Sequence, residues 1–220
     1  MRIAIVPVKD LSLAKERLSP VLSQTDRTRI ACLMLGDVLT ALRGSKLLTK
    51  LFVVTLDGLA REHAKSFGVD VIRETKQESE SSSIDYSLNV CKEIGAESVL
   101  VIPGDVPLIT PEDVDYILER ERPCPSAILV PARDWLGTNA ILRRPPDVFP
   151  SRFGYDSFKK HIDEAKKRGI EFDIYHMPRI ALDIDEPKDL TLFSSQKSDT
   201  KTYIEIGKMG RVRQAYKSVN

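Results

Sequence analysis

The sequence predicts an α/β fold: a Rossmann-like, mixed and mostly parallel sheet with helices on its faces. Short apolar runs alternate with amphipathic stretches through the first part of the chain, the rhythm of successive βα units. After Thr138 that rhythm loosens, and strand-like segments follow one another more closely, which points to an added, partly antiparallel portion. A third feature locates the business end. The run from Ser98 to Ile102 is closed abruptly by Pro103-Gly104-Asp105, with Pro107 just beyond. Asp105 therefore stands at the carboxyl end of a buried central strand, where open α/β sheets place their ligands.

The elements follow in order. Ile3–Val8 is a compact apolar run, a first strand buried on both faces. Residues 9–20 form a polar loop holding Lys9, Lys15 and Arg17. From Ser23 to Leu42, apolar Ile30, Leu33, Met34, Val38 and Leu42 recur at helical spacing. Leu51–Leu56 is a second strand, Leu59–Phe67 a short helix stopped by Gly68, and Val69–Ile72 a brief third strand. Residues 74–83 carry no apolar side chain and predict a loop leading into a helix at Ile84–Ile94. The strand at Ser98 comes next, and then a helix from Pro111 to Arg122, with Thr110 as its cap and Pro111 in the first helical position. Strands are expected at Ala127–Val130, Thr138–Leu142, Phe172–Tyr175 and Ile180–Asp185. Helices are expected at 156–168 and 186–193. The residues from about 195 alternate weakly at Tyr203, Ile204 and Ile206 and present no core role. No repeat and no linker divides the chain, so residues 1–220 are expected as one domain, with 195–220 a C-terminal extension.

Bulk properties narrow the function. At 42% hydrophobic and 30% charged, the composition is that of an ordinary globular protein. Lys and Arg number 33 against 32 Asp and Glu, which removes the electrostatic case for a nucleic-acid binder or an anionic membrane surface. Cys32, Cys91 and Cys124 lie far apart, with no C-x-x-C pair, arguing against a zinc site or a disulfide framework and for a reducing cytoplasm. No run has the length of a membrane span, and the N-terminus lacks the pattern of a signal peptide. A cytoplasmic protein is expected.

Four constellations carry chemistry. In Ile180-Ala181-Leu182-Asp183-Ile184-Asp185 the apolar residues alternate with small and acidic ones, so Asp183 and Asp185 leave one face of an extended segment roughly 7 Å apart. If Asp105 converges on them, carboxylates about 4 Å apart repel by about 4 kcal/mol per pair at an effective dielectric near 20. Such a cluster calls for a cation, and an all-oxygen site beside phosphates suits Mg²⁺. Asp185 also fits a helix N-cap before Glu186-Pro187. Lys9, Lys15 and Arg17 follow the first strand, where α/β folds hold phosphates. No glycine cradle exists there, so binding rests on side-chain charge, against the alternative of a plain solvated loop. Gly137-Thr138-Asn139-Ala140 and the turn Phe153–Phe158 place Thr138, Gly154 and Ser157 at strand or helix starts. Ser157 near a helix N-terminus makes an anion site, and an ordinary turn or cap explains these residues equally well. His63 and His161 lie on expected helices among charged residues, a surface or half-buried setting. No histidine pairs with a serine or cysteine in a triad pattern, and nucleophilic catalysis is disfavoured.

Taken in order, V-P-V-K with A-K-x-R-L, V-I-P-G-D-V-P-L, G-T-N-A, F-G-x-D-S-F-x-x-H and L-D-I-D-x-P-x-D-L resemble the 2-phospholactate guanylyltransferases of deazaflavin coenzyme F(420) biosynthesis. The match spans most of the chain, from about Val6 to Leu190. It implies a three-layer nucleotidyltransferase fold of the nucleotide-diphospho-sugar transferase type. It also implies GTP and 2-phospho-L-lactate as substrates, with lactyl-2-diphospho-5'-guanosine and pyrophosphate as products; some relatives use phosphoenolpyruvate. By the same resemblance Asp105, Asp183 and Asp185 hold Mg²⁺, and Lys15 and Arg17, with Lys9 nearby, face the nucleotide phosphates. Thr138, Gly154 and Ser157 contact the phosphorylated acid. A homodimer is implied as well. The serine-rich 81–83 segment departs from the glycine-bearing pattern expected before the nucleotide-binding helix.

Other readings remain open at this stage. One is a nucleotidyltransferase with a sugar-phosphate or molybdopterin acceptor, and another is a glycosyltransferase using D-I-D as its D-x-D. A third is a GTP-binding module without turnover. A dehydrogenase is disfavoured because G-x-G-x-x-G is absent.

Overall fold

The computed structural model describes residues 1–73 and 79–209. Seven strands form one sheet: β1 (Arg2–Pro7), β2 (Lys50–Val54), β3 (Asp70–Ile72), β4 (Ser98–Val101), β5 (Ser126–Pro131), β6 (Thr138–Arg144) and β7 (Glu171–Ile174). Their spatial order is β3-β2-β1-β4-β6-β5-β7. All pairings are parallel except the two made by β6, which runs antiparallel to β4 and β5. The expected mixed, mostly parallel sheet is present, and its one antiparallel strand, β6, begins at Thr138.

The central strands β1 and β4 are apolar through Ile3–Val6 and Val99–Val101 because both faces are covered. On β1, Ala4 and Val6 face one core, packed on helix α1 (Gln24–Gly44). Ile3 and Ile5 face the other, packed with Ile84, Leu88 and Cys91 of α3 (Glu80–Glu93) and with Phe158 and Ala165 of α5 (Ser157–Lys167). Three layers result, helix–sheet–helix. The order reverses between β1 and β4, so the loops leaving those strands open a crevice at the switch point. Residues 9–18 leave β1, and Pro103-Gly104-Asp105 leaves β4. Gly104 lets the turn pack closely there: a Cβ would sit 3.2 Å from the Leu35 side chain of α1, which would have to give by a few tenths of an ångström.

Helix α2 (Gly58–Ser66) lies within a residue of its expected bounds, and several other boundaries differ from expectation. The cap of α4 (Pro111–Glu119) is as expected, with Thr110 and Asp113 forming a reciprocal capping box. Helix α3 begins at Glu80 rather than Ile84, because Ser79 and Ser82 form a capping box that turns the serine-rich segment into a helix start. Residues 74–78 of the expected loop lie outside the described residues. The expected strand Ile180–Asp185 is not one. Met177-Pro178 starts a single helical turn, α6 (Pro178–Ala181), and Leu182–Glu186 continues as an extended segment outside the sheet. Its alternation survives: Leu182 and Ile184 are buried, and the aspartates turn the other way. The tail also gains a role. Thr200 caps α8 (Lys201–Lys208), which lays buried Thr202 and Ile206 into the core beside α1. Asp37 of α1 accepts the Lys201 and Thr202 amides at 3.0 and 2.9 Å and the Thr202 hydroxyl at 2.6 Å. A helix α7 (Pro187–Ser195) joins the two. No helix among the described residues is long and apolar enough to cross a membrane.

Candidate active site

At the switch point lies a cleft of about 480 Å³, lined by the β1 loop, the Pro103–Asp105 turn, α1 and the first turns of α3. The β1 loop folds into two 3₁₀ turns, Leu11–Leu13 and Glu16–Leu18, joined through Lys15 in a left-handed conformation with φ 57°. A residue with a Cβ takes that conformation at a cost of about 1 kcal/mol, and here it turns the side chain inward. The Lys15 side chain is 9% exposed, and its Nζ donates to Asp105 Oδ2 at 2.6 Å and Asp185 Oδ1 at 2.7 Å. Burial alone would lower the lysine's pKa; Asp105 and Asp185 outweigh it and raise it instead. Burial likewise pushes Asp185 up, and Lys15 overrides that and holds it below the usual carboxylate range.

The DID segment reaches this point through its backbone. The Ile184 amide donates to the Asp105 carbonyl at 3.1 Å, fastening the extended segment to the end of the turn. Asp185 does not cap α7: Glu186 is the N-cap, and Asp189 Oδ2 accepts the Asp185 and Glu186 amides. Its carboxylate is free to meet Lys15. Asp183 has a different neighbour. Asn139 Nδ2 donates to it at 3.0 Å and to the Ile180 carbonyl at 3.0 Å. Burial, with Asp105 and Asp185 nearby, pushes the Asp183 carboxyl up to about 6, against the smaller opposing effect of Asn139.

The sheet supplies a second cluster. Opposite the β6 start, the register slips between Val130 and Pro131, leaving Asn139 as an extra residue. A bulge of this kind re-aims the side chains around it. Thr138 now turns toward α5, where its Oγ1 lies 3.0 Å from His161 Nδ1 and accepts from Ser157 Oγ at 3.3 Å. The turn before α5 holds Gly154 at φ 106° and Asp156 at φ 54°, and Asp156 makes no side-chain cap. Loop residues 151–153 are pinned from behind. Asp85 accepts the Ser151 amide at 2.9 Å, Ser81 accepts the Phe153 amide at 2.9 Å, and fully buried Arg143 donates to Ser151 Oγ at 2.9 Å.

Of the expected site residues, Asp105, Asp185 and Lys15 come together directly, with Asp183 beside them. Thr138 and Ser157 meet, while Gly154 shapes the exposed turn before Ser157. Lys9 and Arg17 stand apart on exposed positions, Lys9 paired with Glu80 at 3.1 Å and Arg17 with Glu186 at 3.7 Å. His161 corrects the expectation of a surface or half-buried residue, for it is completely buried. Its spacing of four from Ser157 puts both on one helical face, a signal present in the sequence. Asn139 and Ser81 lie in segments that the sequence marks, the G-T-N-A turn and the serine-rich 81–83 stretch, but neither has a role of its own in that reading.

The chain that carries this site has known relatives. A family model described as "Guanylyl transferase CofC like" matches residues 1–215. The chain belongs to this guanylyltransferase family. The phosphoenolpyruvate guanylyltransferase of Rubrobacter xylanophilus is 37% identical over 187 residues, 85% of this chain and 90% of the relative. The 3-phospho-D-glycerate guanylyltransferase of Colwellia psychrerythraea is 35% identical, over 86% and 90% of the two chains. The 2-phospho-L-lactate guanylyltransferase of Methanothermobacter thermautotrophicus is 32% identical, over 85% and 81%. Among solved structures, a nucleotidyl transferase from Methanothermobacter thermautotrophicus superposes with a TM-score of 0.66 at 15% identity, covering 88% of this chain and 95% of the other. The guanylyltransferase thus has the nucleotidyltransferase fold implied by its motifs.

The residues present are compatible with a divalent cation. The donors are all oxygen, and Asp105 Oδ1 is buried without a hydrogen-bond partner. Among the described residues no three His, Cys, Asp or Glu side chains form a compact metal-holding group; the ammonium of Lys15 stands between two of the three carboxylates.

Proposed function

We propose that the enzyme transfers the guanylyl group of GTP to the phosphate of a phosphorylated three-carbon acid and releases pyrophosphate. The observation that carries this reading is the Lys15 ammonium shared by Asp105 and Asp185 at the floor of the switch-point cleft. On the motif resemblance the acceptor is 2-phospho-L-lactate, in the biosynthesis of coenzyme F(420). Phosphoenolpyruvate is the second reading, favoured by the 37% and 34% identity to relatives named for it.

The acceptor phosphate is already an anionic nucleophile, so the reaction needs no general base. One of its oxygens attacks the α-phosphorus of GTP in line, the P–O bond to the β-phosphate breaks, and pyrophosphate leaves with the electron pair. What the protein contributes is positioning and charge neutralisation. Asp105, Asp183 and Asp185 would hold Mg²⁺, which when bound supplies charge neutralisation on phosphate oxygens. Lys15 lines the same cleft and offers its ammonium to the phosphates. Lys9 and Arg17 are exposed and loosely paired, so they are available to the phosphate tail at little cost. Thr138 offers its hydroxyl to the acid, and the uncapped start of α5 at Ser157 offers amides.

Pyrophosphate release tests the reading with GTP, Mg²⁺ and each of 2-phospho-L-lactate, phosphoenolpyruvate and 3-phospho-D-glycerate, with CTP as control. Release with GTP and one acid is expected, and Asp105→Asn should abolish it while leaving the fold intact. Turnover with no acid, equal turnover with CTP, or full activity in the Asp105→Asn enzyme would each overturn it.

A further inference from the structure

Helix α5 carries a histidine at its centre whose ring is wholly enclosed, with Phe153 edge-on at 4.8 Å and Phe149 at 6.4 Å. Burial, with Arg143 and Arg152 adding their charge, pushes the His161 imidazole down to about 3, so it is neutral under any ordinary assay condition. A neutral imidazole has one N–H donor and one bare nitrogen. The Arg152 backbone amide donates to Nε2 at 2.9 Å, which makes Nε2 the bare nitrogen and leaves the proton on Nδ1. Nδ1 lies 3.0 Å from Thr138 Oγ1 and must donate to it. Ser157 Oγ donates to the same oxygen at 3.3 Å. A hydroxyl oxygen has two acceptor lone pairs and one proton. Both lone pairs of Thr138 are therefore engaged, and its own proton is left for a third partner.

We propose that His161 is a positioning residue that fixes the Thr138 hydroxyl as a donor toward an anionic oxygen of the acid substrate. The inference rests on the reading of Thr138 as an acid-binding residue. It gives the shared direction of three hydrogen bonds a purpose: an anion accepts and never donates, so a hydroxyl held as donor meets it without reorganising. The pinned loop at Ser151–Phe153 completes the device, because the Arg152 amide sets the tautomer.

The tautomer is measured first, by nitrogen NMR on the ¹⁵N-histidine-labelled wild-type enzyme. A protonated Nδ1 and bare Nε2 are expected, and the opposite tautomer overturns the proposal without any kinetics. Two substitutions then divide the ring's roles. His161→Asn keeps a donor near the Nδ1 position, whereas His161→Gln keeps only a polar atom near Nε2. His161→Gln should raise the KM for the acid roughly tenfold, the worth of one directed hydrogen bond to an anion, with kcat and the KM for GTP within about twofold of wild type. His161→Asn should restore most of that loss. In a Thr138→Val enzyme, His161→Gln should add nothing further. Equal losses in both histidine variants, or additive losses with Thr138→Val, overturn the role of His161. An unchanged acid KM in Thr138→Val alone would instead remove the acid-binding reading beneath it.

Discussion

Asp183 is the carboxylate that Lys15 does not reach, and replacing it with asparagine should stabilise the enzyme. Its carboxyl is displaced from an ordinary 3.8 to about 6, chiefly by burial and then by Asp105 and Asp185. At about 1.36 kcal/mol per pH unit, holding it ionised in the folded protein costs about 3 kcal/mol at neutral pH. The sign follows from proton counts. Between pH 4 and pH 6 the folded state binds more protons at this site than the unfolded state, so stability falls as pH rises through that window. The Asp183→Asn side chain has nothing to ionise and can still accept from Asn139 through its oxygen. The variant should match wild type near pH 4 and exceed it by about 3 kcal/mol at pH 7.5, roughly 6–12 °C in Tm for a chain of this size. Urea and thermal unfolding in a chelator, at pH 4.5 and 7.5, read the difference directly. Guanylyl transfer should fall at least about a hundredfold in the same variant, the trade of activity for stability expected at a strained site. A variant less stable than wild type at pH 7.5, or a difference independent of pH, would refute the electrostatic account of Asp183.

Lys15→Met is expected to act in the opposite direction. The lysine's pKa is raised and that of Asp185 lowered, so the ion pair stabilises from about pH 4 up to the high pH at which the lysine deprotonates. Its loss should cost about 3 kcal/mol at pH 7, the low end for a broken buried pair because Asp185 is 43% exposed, and the cost should fade in unfolding curves taken at pH 3. Asp37→Ala removes three hydrogen bonds from the start of α8 and should lower stability by about 1–2 kcal/mol, read as a shifted urea midpoint with turnover unchanged.

Much of this arrangement was legible because it rests on local rules. Apolar runs buried on both faces, the Thr110-Pro111 cap and the break at Pro103-Gly104-Asp105 each follow from residues close in sequence, and each stands where expected. The segment at Leu182–Asp185 shows how far such rules reach. Alternation rightly put its aspartates on one side and its apolar residues on the other. It did not reveal that Pro178 starts a helical turn that keeps the segment out of the sheet. Thr138 and Asn139 lay further from view. In a regular strand Thr138 would share a face with Ala140 and Asn139 with Ile141. The extra residue reverses both, turning Thr138 to His161 and Asn139 to Asp183. Nothing in G-T-N-A announces that slip, because register belongs to the pairing with Val130 and Pro131 rather than to β6 alone. The burial of His161 is non-local in the same sense, since Phe149, Phe153 and Arg143 close over it from another element.

The charges around Lys15 make a last prediction, about metal. The Lys15 ammonium bridges Asp105 and Asp185, and Asp183 stands beside them, hydrogen-bonded to Asn139 instead. A divalent cation entering the free enzyme meets Lys15 already neutralising Asp105 and Asp185, so it gains less from those carboxylates and is repelled by a like charge. Incoming nucleotide phosphates change the balance by giving Lys15 other anions to face. Mg²⁺ should therefore bind the free enzyme weakly and bind in the presence of GTP much more tightly. Lys15→Met should remove that dependence. Loss of a like charge beside the ion is worth about 1–2 kcal/mol in a solvent-facing cleft, so Mg²⁺ alone should bind the variant about tenfold more tightly than wild type. Titration calorimetry with Mg²⁺, with and without GTP, measures both quantities. Equal Mg²⁺ affinity in wild type and Lys15→Met, or binding to wild type that GTP does not strengthen, would show that Lys15 and the cation do not contend for the same carboxylates.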